Sequence, residues 1–211
     1  LIASHKGINN FNFKEKKLNK ILDLEPDKPQ NRCNDGAADS KGRFWVGTMQ
    51  NNVTPQATDI EIVENSGSLY CINQDLSFSK LEDDIGISNT VVWSPDSKKF
   101  YFTDTLTGII NSYDCNIEEG SISNKTFFAK HERGFPDGAT VDSDGCLWSC
   151  RFGGSCVVRF DPNGKVDDII ELPVENITSC AFGGSDLKTL FITTARWGMS
   201  EEQLKQKPLS G

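Results

Sequence analysis

Residues 31–49 read NRCNDGAADSKGRFWVGTM, and the second half of that stretch decides the fold. From Asp39 to Gly47, DSKGRFWVG is a polar turn that feeds a strand carrying Phe44 and Trp45. Asp, Ser, Lys and Gly favour tight turns, and aromatic and β-branched residues favour pleated strands. The same pattern returns as PDSKKFYFTD at Pro95, DSDGCLWSC at Asp142 and GSDLKTLFITT at Gly184. Between these hairpins lie glycine-led strands with an aromatic residue: GINNFNF at Gly7, GSLYCIN at Gly67, GIINSYD at Gly108 and GSCVVRFD at Gly154. A further strand with few turn signals follows, such as KVDDIIELP.

The four leading glycines are separated by 60, 41 and 46 residues. A repeat of this length, built from four short strands, is the sequence form of a β-propeller blade. One four-stranded sheet cannot cover both of its faces, so such units stack on one another. A β-sandwich is the alternative all-β architecture, but it does not by itself generate ordered repetition. Helical periodicity is confined to SEEQLKQKP near the end. No linker or low-complexity stretch divides the chain, so residues 1–211 read as a single domain.

The 211 residues suffice for a sizeable core, and the net charge of −8 argues against nucleic acid as a partner. No run reaches the roughly 20 apolar residues of a membrane-crossing helix, so no membrane partner is expected. The cysteines number seven, an odd count, and no C-x-x-C pair occurs. They read as small buried residues rather than a zinc knuckle, which implies a reduced, cytoplasmic protein. Sequons begin at Asn52, Asn124 and Asn176 and carry little weight in a chain of this size. His5 and His131 sit among polar neighbours and read as solvated. No G-x-S-x-G is present, so a Ser-His-Asp hydrolase is not supported. Cys146 and Cys150 share a strand face and read as packing, as do Trp45, Trp93 and Trp148 between blades.

The segments entering each hairpin also match: CNDGAAD, ISNTVVWS, FPDGATVD and TSCAFGG. Each places small polar residues just before an apolar strand. These are Asn34 and Asp35, then Asn89, Asp137 and Ser179, with separations of 54, 48 and 42 residues from Asp35 onward. A lone Asn-Asp-Gly is usually a turn. Four matching entries, one per blade, predict a ring of oxygen donors at one mouth of a central channel. Amide, carboxylate and hydroxyl oxygens suit Ca²⁺, Mg²⁺ or Mn²⁺. An EF-hand does not account for them, because DSDGCLWSC has Cys146 at the fifth loop position and no glutamate at the twelfth. A protein-interaction propeller would need no such ring.

These same phrases, NRCNDGAADSKGRFWVGTM, GISNTVVWSPDSKKFYFTD, PDGATVDSDGCLW and TSCAFGG, resemble the regucalcin (senescence marker protein)/gluconolactonase/luciferin-regenerating family, in the same order along the whole chain. The resemblance implies a six-bladed propeller that binds one divalent cation, Ca²⁺, Zn²⁺, Mg²⁺ or Mn²⁺, and hydrolyses a sugar lactone. It implies that Asn89 and Asp137 are metal ligands, with Asp137 also the proton-transfer group. Arg32 and Asn34 would contact substrate. Asn52 falls where the family carries a substrate-contacting glutamate, so that contact is altered. The family's third ligand, a glutamate in an E-G-P context, lies upstream of Leu1 by this alignment. About four blades are therefore expected, in a partial sequence, and the expected state is a monomer. The alternative reading is a non-catalytic, calcium-binding regulatory propeller.

Overall fold

The computed structural model describes residues 1–5, 7–56 and 58–211. Its strands follow one another as antiparallel meanders. The first sheet holds β1 (Ile2–Ser4), β2 (Gly7–Asn12) and β3 (Lys17–Leu22). The second holds β4 (Asn31–Ala38), β5 (Phe44–Gln50), β6 (Gly67–Ile72) and β7 (Phe78–Ile85). The third holds β8 (Ser88–Trp93), β9 (Lys99–Asp104), β10 (Ile109–Asn116) and β11 (Ser121–Lys130). The fourth holds β12 (Phe135–Val141), β13 (Leu147–Phe152), β14 (Cys156–Phe160) and β15 (Val166–Glu171). A two-stranded sheet of β16 (Asn176–Gly183) and β17 (Thr189–Ala195) follows. The helix α1 (Glu201–Gln206) starts at Ser200, whose hydroxyl accepts the Gln203 N–H while the Gln203 side chain accepts the Ser200 N–H.

The repeated Asp-x-x-Gly hairpins have a common physical basis. Asp39 Oδ1 accepts the N–H groups of Lys41 and Arg43, both at 2.9 Å. Asp142 does the same for Asp144 and Cys146, at 3.0 and 2.9 Å, and Asp161 for Asn163 and Lys165, both at 2.9 Å. The glycine three residues on takes a left-handed turn in each case, with φ of +79° at Gly42, +81° at Gly145 and +78° at Gly164. In the first two hairpins the second carboxylate oxygen reaches down to the strand that follows. Asp39 Oδ2 accepts the Trp45 indole N–H at 2.9 Å, and Asp142 Oδ2 accepts that of Trp148 at 2.8 Å. One aspartate thus shapes the turn and fixes a tryptophan six residues later.

The chain divides into two compact units: Leu1–Asn89 with Ile117–Ser121, and Thr90–Asn116 with Ile122–Gly211. In the first, Ile8, Leu24, Cys33, Val46, Tyr70 and Ile72 form a core. Beside it Arg43 is held by Asp39 at 2.7 Å and donates to the Ile117 and Glu118 carbonyls of the β10–β11 turn. In the second, one core gathers Ile110, Leu147, Val158 and Phe160, and another gathers Cys150, Val157, Ile177 and Cys180. Arg151, fully buried, donates to the carbonyls of His131, Arg133 and Gly134 and so holds the β11–β12 loop from beneath.

Of the three tryptophans expected in the core, Trp45 is fully buried while Trp93 and Trp148 are half-buried. His131 departs from the solvated reading. It is half-buried, its Nδ1 accepts the Arg133 N–H at 3.2 Å, and burial lowers its pKa, with the Arg151 and Arg133 charges acting in the same sense. All seven cysteines are free thiols, and all but Cys115 are buried. No described helix is long and apolar enough to cross a membrane.

Candidate active site

The Asn-Asp-Gly of residues 34–36 is not a turn. It lies inside β4, where pairing with β5 slips between Cys33 and Gly36. The same slip occurs in β12 between Pro136 and Ala139, and in β16 between Ile177 and Ser179. Each of these strands is the first of its sheet and stands at its edge. A bulge turns successive side chains away from the strict up-and-down alternation, which frees polar residues from the pleat. Asp35, at the first bulge, folds its Oδ1 back to accept the Gly36 N–H at 2.8 Å.

In the first unit, four of the residues singled out by sequence come together. Arg32 Nη1 donates to Asn34 Oδ1 at 2.8 Å and to the Cys33 carbonyl at 2.9 Å. Arg32 Nη2 donates to Asn52 Oδ1 at 3.0 Å. Asn34 Nδ2 in turn donates to the Ser88 carbonyl at 2.8 Å and to Asn89 Oδ1 at 3.1 Å. The polarity of this chain of bonds is forced. A guanidinium only donates, so Asn34 must show it an oxygen; its NH₂ then faces Asn89, which must answer with oxygen. Asn89 is 6% exposed, and it faces the Asn34 NH₂, which the Arg32 guanidinium and the Ser88 carbonyl both orient.

Among the described residues, Arg32 has only neutral hydrogen-bond partners, and its Nε is buried with none. Burial lowers its pKa from the ordinary arginine value, so the charge is held at a cost that an oxygen-rich ligand would offset. Close approach around the network needs small residues. A Cβ on Gly47 would lie 2.3 Å from Ser88 Oγ, and one on Gly36 would lie 2.7 Å from the Trp45 carbonyl.

Asp137 belongs to the second unit, in the bulge of β12, half-buried between the buried Pro136 and Gly138. Two threonines that sequence reading missed hold its backbone. Thr90 Oγ1 donates to the Asp137 carbonyl at 2.7 Å, and Thr105 Oγ1 donates to the Pro136 carbonyl at 2.8 Å. Beside Gly138, a Cβ would lie 2.6 Å from Ser179 Oγ and 2.8 Å from the Thr178 carbonyl. The Pro-Asp-Gly phrase is thus explained as a bulge that only glycine lets β16 approach. No sequence signal marks Thr90 or Thr105, because each acts through a single hydroxyl with a partner more than 30 residues away.

Among the described residues, no three His, Cys, Asp or Glu side chains cluster as a ready-made metal site. Any cation here would depend on amide as well as carboxylate oxygens. Asn89 Oδ1 accepts from Asn34 Nδ2 at 3.1 Å, and an amide oxygen of this kind is a hard donor of the sort such cations take.

Consecutive antiparallel meanders, with polar bulges on the first strands, define an all-β protein of propeller-like sheets. The chain belongs to a specific family within that class: residues 1–196 match the model of the SMP-30/Gluconolactonase/LRE-like region. It is 36% identical over 204 residues to regucalcin of Xenopus laevis, covering 95% of this chain and 67% of that protein. It therefore spans about two thirds of the length of the curated relatives it matches. A solved structure described as a calcium-binding protein, regucalcin, from Agrobacterium tumefaciens covers all of this chain and 69% of its own, at 29% identity and a TM-score of 0.90. A luciferin-regenerating enzyme is similar at 32% identity and a TM-score of 0.78, over 88% of this chain and 61% of its own.

Proposed function

We propose that this chain belongs to a six-bladed propeller enzyme that hydrolyses a sugar lactone with the help of one divalent cation. The observation that carries the reading is the Arg32–Asn34–Asn89 chain. It joins a charged donor that has no carboxylate partner among the described residues to the amide oxygen of Asn89. Arg32 would donate to the oxygens of a polyhydroxylated substrate, and Asn34 Oδ1 would accept from one of its hydroxyl groups. Asn52 narrows the approach by occupying one arm of the guanidinium. Asn89 and Asp137 would hold the cation, and a hard-oxygen donor set suits such an ion. Bound there, a divalent ion supplies Lewis-acid polarisation of an ester carbonyl. The Asp137 carboxylate would accept a proton from the attacking water and give it to the alkoxide oxygen released as the ring C–O bond breaks.

A second reading, a calcium-binding regulatory protein without turnover, is favoured by one feature. The Arg32 fork is already filled by Asn34 and Asn52. The two readings part in one assay: hydrolysis of glucono-δ-lactone by the full-length protein, with and without Mn²⁺ or Ca²⁺, alongside calorimetric titration of each ion. Saturable, ion-dependent turnover that Asp137→Asn abolishes supports the enzyme. Tight Ca²⁺ binding with no turnover of any aldonolactone supports the regulatory reading.

A further inference from the structure

Thr90 is completely buried and has a φ of +59°. Among the described non-glycine residues in the left-handed region, which are Lys16, Leu76, Asp84, Thr90, Ser97, Asn124, Ser155 and Leu187, it alone is β-branched. For such a side chain this conformation costs on the order of 1–3 kcal/mol, and it persists only where surrounding structure enforces it. The residue nonetheless directs its hydroxyl to one acceptor, the Asp137 carbonyl, at 2.7 Å.

That carbonyl lies where the register of β12 against β13 shifts, between Pro136 and Ala139. A bulge departs from regular strand geometry, so contacts from neighbouring elements help to fix its conformation. Thr105 secures the neighbouring Pro136 carbonyl at 2.8 Å, and the Ser179 side chain fills the space against Gly138. The bulge is therefore pinned at three consecutive residues, with Thr90 holding the middle one. We infer that Thr90 is a positioning residue for Asp137. Its strained backbone is retained because its hydroxyl sets the peptide plane of Asp137, and with it the direction of the carboxylate. The inference rests on the reading of Asp137 as the proton-transfer group, and it adds a residue that makes no contact with substrate.

The test uses Thr90→Ser, Thr90→Val and Thr90→Gly in the full-length protein, with Asp137→Asn as the reference. The readouts are kcat and KM for glucono-δ-lactone, Mn²⁺ affinity by calorimetry, and thermal unfolding. Serine keeps the hydroxyl and should stay within about 3-fold of the parent kcat; valine keeps the shape and should lose about 10-fold or more with KM nearly unchanged. Glycine relieves the backbone, so it should unfold no earlier than the parent and yet lose kcat as valine does. Valine should also weaken Mn²⁺ binding several-fold. Parent-like kcat in Thr90→Val or Thr90→Gly, while Asp137→Asn is inactive, overturns the positioning role alone. A parallel loss of thermal stability in serine, valine and glycine variants also overturns it, because that is the signature of packing. An active Asp137→Asn, or a parent with no lactone hydrolysis, overturns the reading of Asp137 and the role of Thr90 with it.

Discussion

Arg32 shows how one side chain can serve two partners at once. One arm of its guanidinium sets the Asn34 amide and the other takes Asn52, and all of its acceptors are neutral. Replacing it by alanine should raise KM for a sugar lactone by roughly 10- to 100-fold, the scale of a charge-assisted hydrogen bond. Mn²⁺ affinity should change far less, because Asn34 keeps its bond to the Ser88 carbonyl at 2.8 Å and so still presents its NH₂ toward Asn89. Steady-state kinetics beside ion titration check this; an equal loss in both would make Arg32 a structural residue. Arg32→Lys should not rescue, since an ammonium cannot span two amide oxygens as a planar fork does.

The repeated element is the bulged edge strand followed by an aspartate-led hairpin. Both parts carry sharp expectations. Gly138→Ala would force a Cβ to 2.6 Å from Ser179 Oγ and 2.8 Å from the Thr178 carbonyl. Overpacking of this kind costs about 1–3 kcal/mol, so the melting temperature should fall by several degrees and lactone turnover should fall with it. Asp39→Ala removes the partner of four donors, including the buried Arg43 guanidinium and the Trp45 indole. Stranding a buried charge costs about 3–5 kcal/mol, and urea unfolding should show a loss of that size.

These elements were largely legible in the sequence. The hairpin phrases at Asp39, Pro95, Asp142 and Gly184 each precede an observed strand, because turn chemistry is local and written in consecutive residues. Asn34 and Asn89 were legible through matching phrases one repeat apart, and Arg32 and Asn52 only through the family resemblance. What escaped reading was the bulge itself. An Asn-Asp-Gly in solution prefers a turn, and here pairing with β5 on both flanks keeps it in the strand. His131 reads as solvated from its polar neighbours in sequence; it is half-buried because Arg151, 20 residues on, also packs against it and takes its carbonyl.

At the scale of the whole molecule, acid should unfold the protein through its hairpin aspartates. Burial acts to raise the Asp39 carboxyl, but bonds from the Arg43 N–H, the Trp45 indole, the Arg43 guanidinium and the Lys41 N–H outweigh it and bring it below 3.8. For Asp142, burial is likewise outweighed, by Trp148, Arg159 and the Cys146 N–H. A carboxyl lowered in the folded state contributes stability in full above its unfolded value and loses it as pH falls through the folded one. Stability should thus hold from neutral pH down to about pH 4 and decline below it. Asp142→Asn should be clearly less stable than the parent at pH 7, and the gap should narrow at pH 3. A gap that is constant with pH, measured by urea unfolding, would count against this account.

The seven thiols, none of them in a disulfide, have a consequence for how the molecule can be observed. Burial, helped by the Glu25 charge, pushes the Cys33 thiol up to about 11, and burial also raises Cys146 and Cys156. Cys150 is raised by its bond to Cys180 and by burial. A protonated, sheltered sulfur reacts with an alkylating reagent only when its surroundings open. Cys33 and Cys71 lie in the second sheet, Cys115 in the third, Cys150 and Cys156 in the fourth, and Cys180 in the last. Brief pulses of iodoacetamide, read peptide by peptide in a mass spectrometer, would therefore time the loosening of every sheet but the first without any introduced label. Cys115, the half-buried one, should be modified first.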